Sequence, residues 1–530
     1  MSGPQTPLVM LDITLSALYK KSLAGTKQTV FQVASFTDGL KAINMRYATH
    51  QEEIFDTTND TAGMVEQRKR AYLSEGLMRR AIGAQSLAFC AGSGLMIAFP
   101  STESDESYSS TARRFKASLE DSLKSLDASQ RPSLSFMAQR ELPTMAKQIG
   151  KNGLLALHVA IDGIPEKKCL ISPDLHYQLM SKRKLASSGL QTPRCEIIDL
   201  GTDAEIEKRK SDAEDISQNQ DYLLDAAIIT RFRDDVTRAV RSRNGRFVMK
   251  LQQTAGGVGS SIVRSGNDQA KLLARLPIIL DYILGQTNVE NLELRPSSII
   301  ISDFVTSNQD PPTGHAISIF VHRNLAPDFF CCATENMSDN DVWEGASIDY
   351  TQQIQLQAQF QPRINEVSQY LQDKGYFGPV GIDIMVDTTG KQWIVDLNVR
   401  APESMVLGLL QGHLWKNGQV EGFRFAKLIS VLETNKTKAE FLEEFKVLLQ
   451  HGSIVLFAWW SENEDGLGKN FASLVLAGNQ GILRSSGQCH HENSTDRESM
   501  FKFILTQEAL FSVLISLFGH NIKEGNGSRR

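Results

Sequence analysis

Apolar and polar positions alternate most clearly between residues 378 and 400. Val380, Ile382, Ile384 and Val386 alternate with Gly381, Asp383 and Met385. This is the period of a half-buried strand, so Asp383 is expected to point away from the core. Downstream, Trp393, Val395, Leu397 and Val399 alternate with Ile394, Asp396, Asn398 and Arg400, which groups the last three polar side chains on one face. Asp387, two threonines and Gly390 join the segments and predict a hairpin with a four-residue loop. Pairing Asp387 with Gln392 across that loop sets Asp383 opposite Asp396 and Ile382 opposite Leu397.

The rest of the chain follows weaker periodicities. Before residue 185, Phe115, Leu119, Leu123 and Leu126 have helical spacing and 154–161 reads as a short buried strand, together an α/β unit. The apolar run 83–100 reads as a buried strand or turn, and the serine-rich run 101–111 as an exposed loop. A Gly/Thr/Pro turn at 189–193 precedes a strand-like segment and a helix with Ile228, Phe232, Val236 and Val240 on one face. A strand ending at Lys250, a strand at 260–263, a helix over about 269–284 and a strand at 298–305 follow. From 306 to about 415 the pattern predicts mostly antiparallel strands flanking a helix at 354–373. Helices at 438–450 and 507–518 and apolar strands at 454–460 and 471–477 close the chain.

A length of 530 residues predicts two to four domains or subdomains. With 41% hydrophobic and 22% charged residues and a formal net charge of -5, the composition is that of a soluble globular protein without a polyanion-binding bias, so no nucleic acid partner is expected. The six cysteines form no CxxC pair, which speaks against a disulfide framework or zinc ribbon and for a reducing, cytoplasmic setting. The first residues lack a basic n-region and Asp12 interrupts their apolar stretch, so a cleaved signal peptide is not expected, and nothing flanks the apolar run 83–100 like a membrane anchor.

Two carboxylates opposed across a hairpin have Cβ atoms roughly 4.5 to 5.5 Å apart and repel unless something neutralises them. A divalent cation would do so. Magnesium takes one or two carboxylates plus nucleotide oxygens, which makes Asp383, Asp396 and Asn398 candidate ligands, and Arg400 would meet an anion beside the metal. The alternative is a solvated outer face. In GRFVMKLQQTAGGVGSSIV, residues 245–263, Lys250 ends a strand and a glycine loop follows; such a loop lets backbone N–H groups approach phosphate oxygens. It is neither a Walker loop, lacking GK[ST], nor a Rossmann fingerprint, and a plain hairpin is the alternative. Cys331-Cys332 suit opposite faces of a buried strand. Cys489-His490-His491-Glu492 lacks a second ligand pair at zinc spacing. Gly92-Ser93-Gly94 is a turn, not a nucleophile elbow, and His315 reads as a surface-loop histidine.

The order of these elements resembles the ATP-grasp superfamily. A strand ending in lysine, a glycine loop, an apolar strand, then a hairpin with an acid on its first strand and acid-x-Asn-x-Arg on its second is its pattern. It is similar to biotin carboxylase, D-alanine:D-alanine ligase and the amino-acid ligases. The resemblance spans roughly residues 170–412 and is most specific in VDLNVR with Asp383 upstream. It implies that Lys182 and Lys250 contact ATP phosphates under a loop of Gly256, Gly257, Gly259 and Ser260. Asp303, Phe304 and Val305, with Ser302, would run along the adenine. Asp383, Asp396 and Asn398 would hold one or two Mg²⁺, with Mn²⁺ as a substitute, and Arg400 would steady an acyl-phosphate. Ser181 replaces the family's aspartate before the first lysine, Asp396 replaces the commoner glutamate, and no glutamate follows Val305 at the ribose offset.

The implied fold is α/β. It has an N-terminal pre-ATP-grasp domain (1–185), a lid subdomain (186–305), a catalytic antiparallel-sheet subdomain (306–415) and a C-terminal α/β extension (416–530). The implied function is an ADP-forming carboxylate-amine ligase acting on small carboxylate and amine substrates, such as amino acids or their derivatives, in a chain that could form a homodimer. A carboxylate-thiol ligase or small-molecule kinase, and a non-catalytic nucleotide-binding regulator, are the alternatives.

Overall fold

The computed structural model describes residues 8–36, 45–50, 62–100, 108–215, 225–254, 258–308, 314–338, 341–417, 423–463 and 468–478. The helix expected at 507–518, the Cys489–Glu492 cluster, Gly256, Gly257 and residues 101–107 lie outside them.

Four short strands, β1 (Thr29–Ala34), β2 (Leu95–Ala98), β3 (Ser133–Phe136) and β4 (Gly153–Leu157), form a parallel sheet in the order β3-β2-β1-β4. Near-continuous apolar runs such as Leu-Met-Ile-Ala in β2 suit strands covered on both faces. The run expected as strand or turn at 83–100 is instead split. Its first part ends the 30-residue helix Ala62–Ala91, and its second is β2. The helix tolerates Gly83 because the Phe36 ring fills the space a Cβ would take. It stops before Gly92, whose φ of +81° is left-handed. Residues 108–111, expected as loop, are the first turn of the helix Tyr108–Ser122. No helix among the described residues is long and apolar enough to cross a membrane.

The second sheet is antiparallel: β5 (Cys195–Ile198), β6 (Phe247–Leu251), β7 (Ser260–Val263) and β8 (Ile299–Asp303), ordered β5-β8-β6-β7. Two helices pack on it, Ala226–Ser242 and Gly266–Gly285. Ile228, Phe232, Val236 and Val240 on the first share a core with Met249 and Ile301, as their spacing requires.

The third sheet has eight strands: β9 (Gly314–Val321), β10 (Asp328–Met337), β11 (Trp343–Asp349), β12 (Gly378–Val386), β13 (Gln392–Asn398), β14 (Phe425–Thr434), β15 (Ile454–Ser461) and β16 (Asn470–Gly478). Their order is β13-β12-β9-β10-β11-β14-β16-β15, so the strands after residue 416 continue the sheet that carries the hairpin. Cys331 and Cys332 are both buried and face different cores on its two sides. His315 lies on β9, half-buried with its ring 5.1 Å from Phe360, and not on a surface loop. The helix expected at 438–450 breaks at Phe445 into Lys438–Glu444 and Lys446–His451, and Phe441, Phe445, Leu448 and Leu449 all reach the core under β15 and β16. On the other face, Gln85 clamps the β15 backbone, accepting from Trp459 N at 2.9 Å and donating to Trp459 O at 3.1 Å. The N-terminal helices and the late strands therefore share one hydrophobic core.

Candidate active site

In the hairpin β12–β13, Asp383 pairs with Asp396, Ile382 with Leu397 and Gly381 with Asn398, the register expected at the acidic pair. The expected route to it differs. Val386, not Asp387, pairs with Gln392, and a bulge between Asp383 and Ile384 restores the register by leaving Val395 unpaired. Asp387 is spent on the turn, where its carboxylate accepts from Thr389 N at 2.8 Å, Lys391 N at 3.0 Å and Trp393 Nε1 at 2.8 Å. The bulge also switches faces, so Ile394 and not Val395 enters the core. The Val395 carbonyl instead accepts from Lys250 Nζ at 2.7 Å.

Two lysines from different elements converge on this hairpin. Ser181 caps the helix Lys182–Ala186, its Oγ accepting from Lys184 N at 2.9 Å. A serine therefore fills the capping role open to an aspartate, and Lys182 starts the helix. Lys182 Nζ ion-pairs with Asp396 although its side chain is only 6% exposed. Lys250 extends from β6, and burial pulls its ammonium below its ordinary range. Its neighbours are Asp396, Lys182 and Asp383.

A third carboxylate, Glu335 on β10, belongs to the cluster. Gly314 provides its space, since a Cβ there would collide with the Glu335 carboxylate. Burial and then Asp396 push Glu335 up to about 7. Burial, Glu335 and Asp396 push Asp383 well above the carboxylate range. Asp396 goes the other way, lowered by Lys182 and Lys250 in spite of its own burial. Asn398 Nδ2 donates to Asp383 Oδ2 at 3.2 Å. Among the described residues no three acidic, histidine or cysteine side chains are grouped so as to hold a metal ion unaided.

Arg400 is fixed from another direction. One of its terminal nitrogens lies 2.7 Å from His158 Nε2, just past the end of β4. Guanidinium can only donate, so this imidazole nitrogen accepts and His158 is neutral. Burial, with Arg400 and His176 nearby, holds the His158 pKa well below the ordinary value. His176 donates to Val399 O at 2.8 Å, and its pKa is lowered to about 4 by burial. The His158 backbone N–H donates to Val33 O at 3.1 Å. Arg400 thus meets the parallel sheet where β1 and β4, its first and last strands, lie side by side. Outward connections from that point leave a crevice at the strands' carboxyl ends.

Two hollows flank the cluster. One, open to solvent, lies between the second and third sheets, with Lys182, Lys250, Cys195, Ile300, Ser302 and Val395 in its wall. The other, also open to solvent, has Arg400, Val159, Ala160, Tyr177, Met180 and Thr254 in its wall. Ser260 pairs with Lys250 across β6–β7, and Gly259 has a left-handed φ of +75° that a side chain would strain. Asp303 is exposed and ion-paired to Arg243 at 2.8 Å, Phe304 lies under Arg246, and Val305 is buried. None of these three lines the hollow between the second and third sheets, whereas Ser302 does.

Glu335 and His158 carried no sequence signal. Each becomes visible only when another strand fixes its place, β9 through the space at Gly314 for Glu335 and β1 through Val33 O for His158.

No protein-family model matches the chain, and no curated protein matches it. Among solved structures it is similar to an N5-carboxyaminoimidazole synthetase from Staphylococcus aureus complexed with ADP, at 11% identity over 76% of this chain and 91% of that one, with a TM-score of 0.41. It is also similar to an L-amino acid ligase from Bacillus licheniformis, at 10% identity over 87% and 97%, with a TM-score of 0.41. A third likeness is to the biotin carboxylase domain of a Hydrogenobacter thermophilus 2-oxoglutarate carboxylase with MgADP and bicarbonate, at 9% identity over 85% and 86%, with a TM-score of 0.38.

Proposed function

We propose that this chain is an ATP-dependent, ADP-forming ligase of the ATP-grasp type that joins a carboxylate to an amine. The observation that carries the reading is the convergence of Lys182 and Lys250, from two separate elements, on the opposed carboxylates Asp383 and Asp396 at the edge of the hollow between the second and third sheets. ATP lies in that hollow with its adenine beside Ser302, and not against the Asp303, Phe304 and Val305 side chains that the family pattern implied. Lys182 and Lys250 meet its phosphates, with Gly259 and Ser260 beside them.

The donor set fits Mg²⁺. Asp383 is a carboxylate held unfavourably among other carboxylates, Asn398 lies against it, and the counter-charges on Asp396 are two lysines, Lys182 and Lys250, that a nucleotide would draw away. Such a set calls for a cation, and two carboxylates plus phosphate oxygens suffice for magnesium. When bound at Asp383, Asp396 and Asn398, Mg²⁺ neutralises charge on the β- and γ-phosphates.

The substrate carboxylate attacks the γ-phosphorus, ADP leaves, and an acyl-phosphate forms. An amine then displaces phosphate to give the amide. The protein's part is positioning and charge neutralisation: Lys250, anchored on the Val395 carbonyl, aims at the phosphates, and Arg400, held by His158, faces the acyl-phosphate oxygens. Incubation of the full chain with MgATP, mixed carboxylic acids and an amine should release ADP and phosphate in a Mg²⁺-dependent way. Release of AMP, or no nucleotide turnover, contradicts the reading.

A further inference from the structure

Residues 45–50, Met-Arg-Tyr-Ala-Thr-His, run between two parts of the molecule and bond to both. On the side of the parallel sheet, Arg46 N donates at 3.1 Å to Asp162, just past β4. The helix Pro173–Leu179 adds Asp174, which accepts from Arg46 Nε at 2.8 Å and from the Tyr47 hydroxyl at 2.7 Å. It also adds Tyr177, whose hydroxyl donates to Ala48 O at 2.6 Å. On the side of the second sheet, the turn that follows the helix Gly266–Gly285 holds the same segment. Asn288 and Asn291 donate to Met45 O at 2.9 and 2.8 Å, and His50 Nε2 donates to Pro296 O at 2.7 Å. Arg46 donates to Glu290 O and to the Glu293 carboxylate, so its guanidinium is shared between Asp174 on one bank and Glu293 on the other.

The second bank is built to let go. The second sheet and its helices have a core of their own, drawn from residues 198–301. What they share with residues 45–50 is one apolar side chain, Leu294, in a small cluster with Tyr47, Ala160 and Tyr177, and the polar bonds above. Polar bonds exchange with water at small net cost, and a polar contact between self-contained units permits relative motion. The segment also reaches the site. His50 N donates at 2.8 Å to Gln253 O, just past the strand that carries Lys250, and the neighbouring Gln252 O accepts from Lys182 N at 3.0 Å. The end of β6 is therefore pinned between residues 45–50 and the helix that begins at Lys182.

From this we infer that residues 45–50 are a strap that holds the second-sheet unit down over the nucleotide, with Arg46 as its positioning residue. Arg46 acts through the placement of Lys250 and touches no reacting atom. The inference rests on the ligase reading above. Nucleotide leaves and water enters when the bonds to Glu290, Glu293 and Pro296 open. A loosened strap therefore speeds release of MgADP and lets water hydrolyse the acyl-phosphate before an amine arrives.

The test uses the full chain and two measurements. Release of a fluorescent MgADP analogue is followed by stopped flow after a chase with excess MgADP. Turnover is measured with MgATP, mixed carboxylic acids and hydroxylamine, which captures an acyl-phosphate as a hydroxamate, and is expressed as hydroxamate formed per ADP. Arg46→Ala should release nucleotide at least about tenfold faster, the size of one lost charge-assisted bond, and should lower the hydroxamate-to-ADP ratio. A variant that is merely unstable supplies fewer active molecules and leaves that ratio where it was. Glu293→Gln, a partly exposed change on the far bank, should move both readouts the same way by about threefold, and it decides the matter if Arg46→Ala does not fold. A release rate that neither variant raises, or a ratio that neither lowers, overturns the inference and leaves the ligase reading standing. Nucleotide binding without hydroxamate from the unaltered chain overturns the ligase reading, and the release rates then judge the strap alone.

Discussion

Asp383 and Asp396 face one another, yet replacing each by asparagine should move stability in opposite directions. From the hairpin alone, either change relieves a like-charge pair and leaves the fold as stable or more so. Lys182 reverses the sign at Asp396. Its side chain is 6% exposed against 26% for Asp396, so Asp396→Asn strands a buried ammonium with Lys250 close by. Removing one partner of a fully buried pair costs roughly 3–5 kcal/mol, and the solvent access of Asp396 reduces this to about 2 kcal/mol. For a domain of 150–250 residues that is a melting transition lowered by roughly 4–8 °C. Asp383 is the disfavoured member, held up by burial, Glu335 and Asp396. Asp383→Asn keeps its volume, removes the repulsion, and should stabilise by up to about 1 kcal/mol. That gain should fade as the pH falls, because Asp383 then takes up a proton by itself. Both variants lose Mg²⁺-dependent turnover. The assay is thermal melting by circular dichroism at pH 8, without nucleotide or Mg²⁺. A stabilised Asp396→Asn, or an Asp383→Asn that melts as low as Asp396→Asn, refutes the charge arrangement.

Lys250→Ala should weaken MgATP binding and slow turnover together, each by about tenfold or more, as loss of a charge-assisted contact implies; calorimetry and steady-state kinetics that find both unchanged would reduce Lys250 to a strand residue. Gly314→Ala should displace the Glu335 carboxylate and cut turnover while the melting transition stays within a few degrees, and wild-type kinetics would show that Glu335 has no part in the site. His176 binds its proton less readily folded than unfolded, its pKa falling from 6.5 to about 4. Its contribution to stability is therefore full above pH 6.5 and is lost as pH falls toward 4, about 3 kcal/mol in all. His176→Gln should flatten the melting temperature against pH over that window, and an unaltered slope would contradict the assignment.

The parts legible in the sequence are those set by local period. The helix face of Ile228, Phe232, Val236 and Val240 and the strand at 260–263 follow from spacing alone, whereas the opposition of Asp383 to Asp396, expected from an Asp387–Gln392 pair, is reached through a Val386–Gln392 pair and a bulge. The bulge at Val395 was not legible, because it arises where Asp387 satisfies the turn with its side chain and so shifts the pairing by one residue. The misread run at 83–91 shows the same limit: small and apolar residues fit a buried helix as well as a strand, and the Phe36 ring that fills the place of a side chain at Gly83 comes from another segment. Glu335, His158 and the Lys182–Asp396 pair were hidden because each depends on residues brought together from distant parts of the chain.

The central claim is that a substrate carboxylate attacks the γ-phosphate of ATP. Carboxylate ¹⁸O is its direct tracer, with the acid taken from those that give a hydroxamate. One labelled oxygen should appear in the released phosphate for each amide formed, with ADP as the only nucleotide product. Label in AMP, or label retained wholly in the amide and unreacted acid while ATP is consumed, would contradict the acyl-phosphate route even if Asp383, Asp396 and Asn398 bind magnesium.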